Sequence, residues 1–533
     1  MSEHQEEKKE ITRRTFLKMM AGLGLAGLGG MTALPGKARA AQYAGGYVAA
    51  GGQGWLPYQY NVPGDWQAQV RGRVPIDDDN PSIVRDDNKC ILCGQCLETC
   101  KHVESVFGYY KLPIVDKTIC IHCGQCSLNC PTGAISERSN VADVLQALQD
   151  KSKFVLAQTA PATRVALGEE FGLPPGSWVA GQQVSALRGL GFKAVTDTVF
   201  TADLTIMEEA TELLGRIKGK INKPLPQFTS CSPGWIKFCE YFYPDLLPHM
   251  SSCKSPQQML GALAKTYYAR RNNIDPASIV SVSIMPCTAK KFECSRPEMD
   301  AAARYWNKPG LRDVDYVLTT RELAQLLKAR QINLTQLPES DYDRLLGEGT
   351  GAGIIFGASG GVMEAALRTA YFSITGQKPP AQLLNFTPVR GLQGVKEAAV
   401  DIPGAGTVKV AVCQGMASGR QVLEAVRRGQ APWVFVEFMT CPGGCISGGG
   451  QPRSAVPPTD EIRQKRAAAL YSADQRWPKR DSFENDEVMA LYKDFLGHPL
   501  GELSEKLLHT EYLSRAKELK PVTVKIAPAA SRA

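Results

Sequence analysis

The sequence predicts an α/β protein built on parallel sheets with flanking helices. A small cysteine-rich domain precedes it and a helical tail follows. Three observations carry this. From about residue 141, short apolar runs alternate with longer segments of helical period, the pattern of strands joined by crossover helices. Between residues 85 and 140, eight cysteines fall into two copies of one spacing. After residue 455 the composition turns polar, and separate amphipathic helical patterns follow one another.

At 533 residues, with 44% hydrophobic and 21% charged side chains, the chain is long enough for several domains and a large core. Its 16 cysteines are too few for a disulfide scaffold and strongly clustered, which points to metal binding. The formal charge of +8 comes without a basic tract interleaved with aromatics, so nucleic acid is not an expected partner.

Residues 1–40 read as an export signal. Arg13-Arg14-Thr-Phe-Leu-Lys18 precedes the apolar run Met19–Leu34, and Ala38-Arg39-Ala40 supplies a small-x-small cleavage site. The paired arginines resemble the twin-arginine class. A membrane anchor is the competing reading, but eight glycine and alanine residues make the run a poor spanning helix. Cleavage after Ala40 would leave a periplasmic protein with no membrane span. Residues 41–84, rich in Gly, Pro, Tyr and Trp, read as a linker or wrapping arm, with Trp55 and Trp66 as packing anchors.

The repeated spacing is Cys90-x2-Cys93-x2-Cys96-x3-Cys100 and Cys120-x2-Cys123-x2-Cys126-x3-Cys130. Each copy wraps three thiolates around one cubane, and its fourth cysteine ligates the other. Cys90, Cys93, Cys96 and Cys130 are then expected to hold one 4Fe–4S cluster, and Cys100, Cys120, Cys123 and Cys126 a second. Zinc knuckles use fewer and wider-spaced cysteines. The segment 85–140 resembles bacterial two-cluster ferredoxins, whose work is electron transfer. His102 and His122 sit beside ligand sets already complete and read as solvent-facing.

Beyond it, Val141–Asp150 reads as helix, Phe154–Thr159 as a buried strand leading into Ala160-Pro161, Val179–Leu190 as helix and Lys193–Phe200 as strand. A long helix follows over Ala202–Lys218, with Glu209, Glu212 and Arg216 on one face. By frequency such a face is solvated and its ion pair weak; the functional alternative is a row of proton carriers. Cys231 sits in Thr229-Ser-Cys-Ser-Pro-Gly-Trp235 after a strand, and Ser251-Ser-Cys-Lys-Ser-Pro-Gln257 opens a further helix. Cys239 and Cys253 read as structural, and Cys294 as incidental. The alternating strand 278–286 ends in Met285-Pro-Cys-Thr-Ala-Lys-Lys-Phe-Glu293, placing Cys287 and Lys290 after a strand, where α/β folds carry their chemistry.

Tyr316–Thr320 reads as strand and Arg321–Ala329 as helix. The glycines of Gly349–Glu364 suit close packing around a cofactor, and the stretch lacks the Gly-Lys-Ser/Thr of a phosphate loop. Val408–Cys413 and Val434–Phe438 read as strands. The second feeds Glu437-Phe-Met-Thr-Cys-Pro-Gly-Gly-Cys-Ile-Ser-Gly-Gly-Gly-Gln-Pro452, in which Met439 stands two places before Cys441 and Cys445 follows among glycines. Close thiolates bind soft metals, and glycines admit a bulky ligand; a zinc half-site is the plainer reading of this motif alone. In the tail, Arg463–Tyr471, Asn485–Phe495 and Leu503–Leu508 read as helices, and Lys520–Ala533 as disordered.

Two of these motifs are highly specific. Met285–Glu293 resembles the MPCxxKxxE, and Glu437–Pro452 the ExMxCxxGCxxGGGQP, of the iron–iron (FeFe) hydrogenases, and the likeness extends over about 90–510. The resemblance implies a catalytic domain of two lobes over 141–454 and a small-subunit-like tail over 455–533. It also implies an H-cluster: a 4Fe–4S cubane joined through a cysteine to a two-iron unit carrying CO, cyanide and a dithiolate amine. Cys287, Cys441 and Cys445 would ligate the cubane, with Cys445 as the bridge. Lys290 would bond a cyanide. Met285, Met439, Pro161, Pro256 and Gln257 would line a dry pocket, with Ser255 and the Gly353–Gly361 segment completing it. H2 would be split heterolytically there, and protons would leave by Cys231, Glu209, Ser251, Glu212 and Arg216.

One departure stands out. The family's Thr-Ser-Cys-Cys-Pro is here Thr-Ser-Cys231-Ser232-Pro, so a serine occupies the position of the fourth cubane ligand. Either Ser232 ligates, or Cys231 shifts inward to ligate and Ser232 takes over the relay. Because a cubane favours four soft ligands, the sequence favours the shift. The resulting expectation is an exported hydrogenase, running toward H2 uptake and exchanging electrons with a cytochrome c or a ferredoxin. It would be served by maturation factors and the twin-arginine machinery. A hydrogen sensor of the same fold and an iron–sulfur assembly protein lacking the two-iron unit are the alternatives.

Overall fold

A computed structural model describes residues 72–111, 117–453 and 459–520. The export signal, Trp55 and Trp66 of the arm, and the chain end beyond Lys520 lie outside the described residues. Two units are distinguished, residues 1–72 with 92–94, and 73–91 with 95–533. The second holds every element named below.

The cysteine-rich segment is closed by a short antiparallel pair, β1 (Ile83–Arg85) and β2 (Ile135–Glu137), which joins its two ends. The α/β region opens with β3 (Phe154–Thr159), buried at every residue after the first as expected of a strand covered on both faces. Next come β4 (Ala194–Asp197) and the long helix α1 (Thr198–Ile217). The expected strand Lys193–Phe200 is cut short at Asp197. That residue keeps extended backbone while its carboxylate accepts from Val199 N at 2.9 Å, an N-cap that starts the helix four residues early.

Then follow β5 (Gln227–Phe228), α2 (Pro233–Phe242), β6 (Ile279–Met285), α3 (Ala289–Ser295) and β7 (Tyr316–Thr319). After the helix Gly361–Thr375, a hairpin of β8 (Val395–Ile402) and β9 (Gly406–Gln414) precedes β10 (Phe435–Met439). The tail forms α4 (Asp460–Arg476) and α5 (Glu502–Leu508), with Asp486–Leu491 between them.

Two four-stranded sheets result. One, in the order β4-β3-β6-β7, is wholly parallel. The other, β5-β10-β9-β8, is parallel except for its outer hairpin. Strand β8 is absent from the sequence reading: it is a sheet edge with only alternate residues buried, so no continuous apolar run marks it. The turn Pro403-Gly404 with the alternation before it was the available signal.

Parallel strands release their loops at one end. Ala160-Pro161 follows β3, Pro286-Cys287 follows β6, Thr229–Cys231 follows β5 and Thr440-Cys441 follows β10. Both sheets therefore deliver cysteine-bearing loops to one place. Aromatic packing fixes two of these loops together: Trp235 stacks on Phe438 at 3.9 Å, and its indole N–H donates to Thr229 O at 3.0 Å. No described helix is long and apolar enough to cross a membrane.

Candidate active site

The four strand-end loops enclose a cavity of about 80 Å³. Its wall includes Cys231, Ser232, Cys287, Cys441 and Cys445, with Met285, Met439, Pro161, Pro256 and Gln257 around them. Lys290 is the single charged side chain among its described lining residues. Phe356 and Gly357 close it from the Gly349–Glu364 segment. Glu437 ties that segment down by accepting from Gly360 N at 2.6 Å and Met363 N at 2.7 Å. Ser255 stands behind the wall, donating to Glu293.

The cysteine loop reaches the cavity through backbone only glycine can adopt. Gly444 has φ 87° and ψ −151°, and a Cβ there would lie 2.7 Å from Ser359 N. A Cβ on Gly449 would come within 2.4 Å of Cys123 O. The cysteine-rich segment is thus seated directly on this loop. Cys123 itself lines the cavity, a neighbour of Cys441 that lies 318 positions away in the chain and that no sequence signal marks.

The donor set suits a metal cluster. Burial, then repulsion from Cys287, pushes the Cys441 thiol far up and the Cys445 thiol to about 12. Thiols packed this way are held back from ionising unless cations compensate, and metal ligation does so outright. Among the described residues no three His, Cys, Asp or Glu side chains converge closely enough to chelate a single ion. Thiols spread around a cavity fit a bulky cluster and not a zinc ion.

A second, smaller cavity is lined by Cys100, Cys120, Cys123 and Cys126 together, the set expected from the spacing. Of the other set, Cys96 and Cys130 pack in the apolar patch around Val74, Ile83 and Ile135, Cys90 is half-buried, and Cys93 belongs to the smaller unit. His102 is exposed beside Glu98, but His122 is buried, correcting its solvent-facing expectation. It stacks on Phe292 at 4.5 Å and meets Lys237 Nζ at 2.6 Å. Cys294 is likewise not idle, as it accepts from Gln257 and Gln258 at 3.3 Å each.

Cys231 and Ser232 face different neighbours. Ser232 Oγ meets Thr440 Oγ1 at 2.9 Å, one residue before Cys441. Cys231 packs against the apolar cluster that contains Met439 and Ile206, and after burial its strongest influence is Glu209. Glu209, Glu212 and Arg216 are all buried, so the solvated-face reading of α1 fails. Burial, then the Glu212 charge, raises the Glu209 carboxyl to about 8, and its Oε1 has no protein partner. Ser251 stands between the two carboxyls and donates to Glu212 Oε2 at 2.7 Å. Burial would raise Glu212 too, but Arg216 and Lys223 hold it below the ordinary range.

Arg216 donates to Glu212 Oε1 at 2.6 Å and to the carbonyls of Pro224, His249 and Met250. It anchors the row; a guanidinium does not release protons near neutrality.

Glu209 yields a stability test. Its folded carboxyl stays neutral up to about pH 8, while in the unfolded chain it ionises from its ordinary 4.5. Each step of pH between those values therefore favours unfolding. Glu209→Gln removes that slope. The urea midpoint of the variant should gain on the parent from pH 4.5 to 8 and then level off; a difference flat across the window refutes the assignment.

The family described as iron only hydrogenase large subunit, C-terminal domain, matches residues 153–449. The iron hydrogenase small subunit family matches 460–515, and a 4Fe-4S binding domain matches 113–136. The chain is similar to the NADP-reducing hydrogenase subunit HndD of Solidesulfovibrio fructosivorans, 45% identical over 458 residues, which span 83% of this chain and 76% of that protein. It is also similar to the periplasmic Fe hydrogenase large subunit of Nitratidesulfovibrio vulgaris, 47% identical over 391 residues, 73% of this chain and 90% of that one. A solved FeFe-hydrogenase from Chlamydomonas reinhardtii superposes with a TM-score of 0.61 at 43% identity, covering 70% of this chain and 99% of its own.

Proposed function

The chain belongs to the iron-only (FeFe) hydrogenase family, with large- and small-subunit regions on one polypeptide, and from that premise we propose an exported enzyme that interconverts H2 with protons and electrons, running toward uptake. Cys287, Cys441 and Cys445 would hold the cubane of the H-cluster, Cys445 bridging to its two-iron unit. When bound, that group supplies redox-active iron to polarise H2 and an amine to take a proton. The residues of this chain do the rest. Met285 and Met439 exclude water from the reacting face, and Lys290 offers a cation to an anionic diatomic ligand.

Cys231 is the first proton carrier outward, followed by Glu209, Ser251 and Glu212. The observation carrying the reading is that one cavity, walled by five thiols and one cation, opens through Cys231 onto a buried row of carboxyls. A carboxyl near pKa 8 can take and release protons at neutral pH. The contact of Ser232 with Thr440 supports Ser232 at the fourth cubane position. We favour this over an inward shift of Cys231, because after burial the Glu209 charge is the strongest influence on that thiol.

Electrons would pass through the cluster of Cys100, Cys120, Cys123 and Cys126, then through that of Cys90, Cys93, Cys96 and Cys130, to a cytochrome c or ferredoxin. The sharing of the main cavity by Cys123 supports this order. Removal of residues 1–40 by the twin-arginine route, after maturation, would place the enzyme in the periplasm, where oxidising H2 releases protons outside.

The test is H2-dependent dye reduction by protein matured with the accessory factors, with infrared spectra of the same sample. Bands from CO and cyanide together with dye reduction are expected. Bands without turnover would indicate a sensor, and no bands in properly matured protein would exclude the hydrogenase reading.

A further inference from the structure

The row of carriers ends at Glu212, and Arg216 cannot take the proton further. Two other groups reach this carboxylate. Lys223 Nζ lies 3.4 Å from Oε1. On the other oxygen, Oε2, Ser252 donates its backbone N–H at 3.1 Å and brings its hydroxyl to 3.5 Å. The Ser252 hydroxyl in turn meets His509 Nδ1 at 2.9 Å.

His509 comes from the tail, just past α5. Its position is fixed by backbone pairing: Lys254 N donates to Leu508 O at 2.7 Å, and Thr510 N to Ser252 O at 2.8 Å. Its second nitrogen, Nε2, lies 3.2 Å from Glu208 Oε2. Glu208 is fully buried and itself held by Tyr492 Oη at 2.6 Å and Leu500 N at 2.7 Å. Glu212, Ser252 and His509 together line a surface cleft, with Lys223, Glu505 and Glu511 as its other charged groups.

We propose that His509 is the outer proton station of this enzyme, taking protons from Glu212 through Ser252 and passing them to the cleft. The inference rests on the proton row argued above. In the uptake direction the Glu212 proton moves to Ser252 Oγ as the hydroxyl proton moves to Nδ1 of neutral His509. The imidazolium then loses one proton to cleft water, restoring every group. Glu208 is the positioning residue, since a carboxylate on Nε2–H turns Nδ1 toward the serine. A neutral imidazole accepts a proton at one ring nitrogen while the other stays bonded and so suits this exchange, whereas a lysine ammonium only donates.

The experiment uses matured full-length protein. H2 oxidation is followed against pH, in water and in deuterium oxide, for His509→Gln, for His509→Ala with and without added imidazole, and for Lys223→Met and Glu212→Gln. Turnover is expressed per site from the CO and cyanide bands. His509→Gln should lower turnover at pH 7 at least about ten-fold, enlarge the solvent isotope effect and change the shape of the pH profile. Imidazole should restore much of the alanine variant's loss. An unchanged profile in His509→Gln overturns the proposal. So does a loss that only follows lower cluster loading without imidazole rescue, or slowing by Lys223→Met alone. Full turnover in Glu212→Gln would instead sink the proton row itself.

Discussion

Cys231→Ala is expected to lower H2 oxidation by about two to four orders of magnitude while leaving the iron content of the protein unchanged. The thiol stands where the cavity meets Glu209, and Glu209 is the group that acts on it most strongly after burial. Alanine leaves no exchangeable proton at that point, so the buried carboxyl loses its connection to the cavity. Iron analysis, electron paramagnetic resonance of the reduced clusters and dye reduction on one sample check this. Loss of four irons along with activity would show that Cys231 ligates the cubane, and would return Ser232 to the relay. The contact of Ser232 with Thr440, the residue before Cys441, argues for the first outcome.

Lys290→Met should cost the site its two-iron unit. Burial opposes the charge on this amine, but Glu293 overcomes it, and the side chain stays protonated. It donates to Cys231 O at 3.1 Å and to Glu293 Oε2 at 3.0 Å. An ammonium has three protons, so one is left for a ligand in the cavity. A hydrogen bond to a charged partner is worth about 1.5–3 kcal/mol, which makes retention of the unit roughly 10- to 100-fold weaker in the variant. The CO and cyanide absorbance per cubane should fall by that order. Equal band intensities in parent and variant would refute the assignment. Glu293 keeps Ser255 and Gln257 as donors at 2.9 and 3.0 Å but loses its cation, so a lower unfolding midpoint is expected as well.

Much of this protein is written locally. Strand β3 was legible to its residue boundaries, because a strand buried on both faces is a continuous apolar run between turns. Ligand spacings were legible for a similar reason: three residues between thiols fix how closely they can approach, whatever surrounds them. The start of α1 was misread because Asp197 ends a strand and caps a helix at once, and β-branched Thr198 and Val199 continue the strand pattern into the helix. Helical period put Glu209, Glu212 and Arg216 on one face, but whether that face met water depended on the loop 248–252 and the tail packing over it.

Two motif resemblances in the sequence pointed to the family, and local periodicity to the parallel α/β plan, since each is written within a few residues. Only the tertiary structure set Ser232 against Thr440 and placed Cys231 under the charge of Glu209. It alone brought Cys123 to the cavity of Cys441, and His509 within reach of Glu212 through Ser252, nearly three hundred residues earlier. The physical reason is the same in each case. Neighbours in a chain are set by covalent geometry, whereas a proton path or cluster site is set by burial, and burial belongs to elements that meet only when the whole chain has packed.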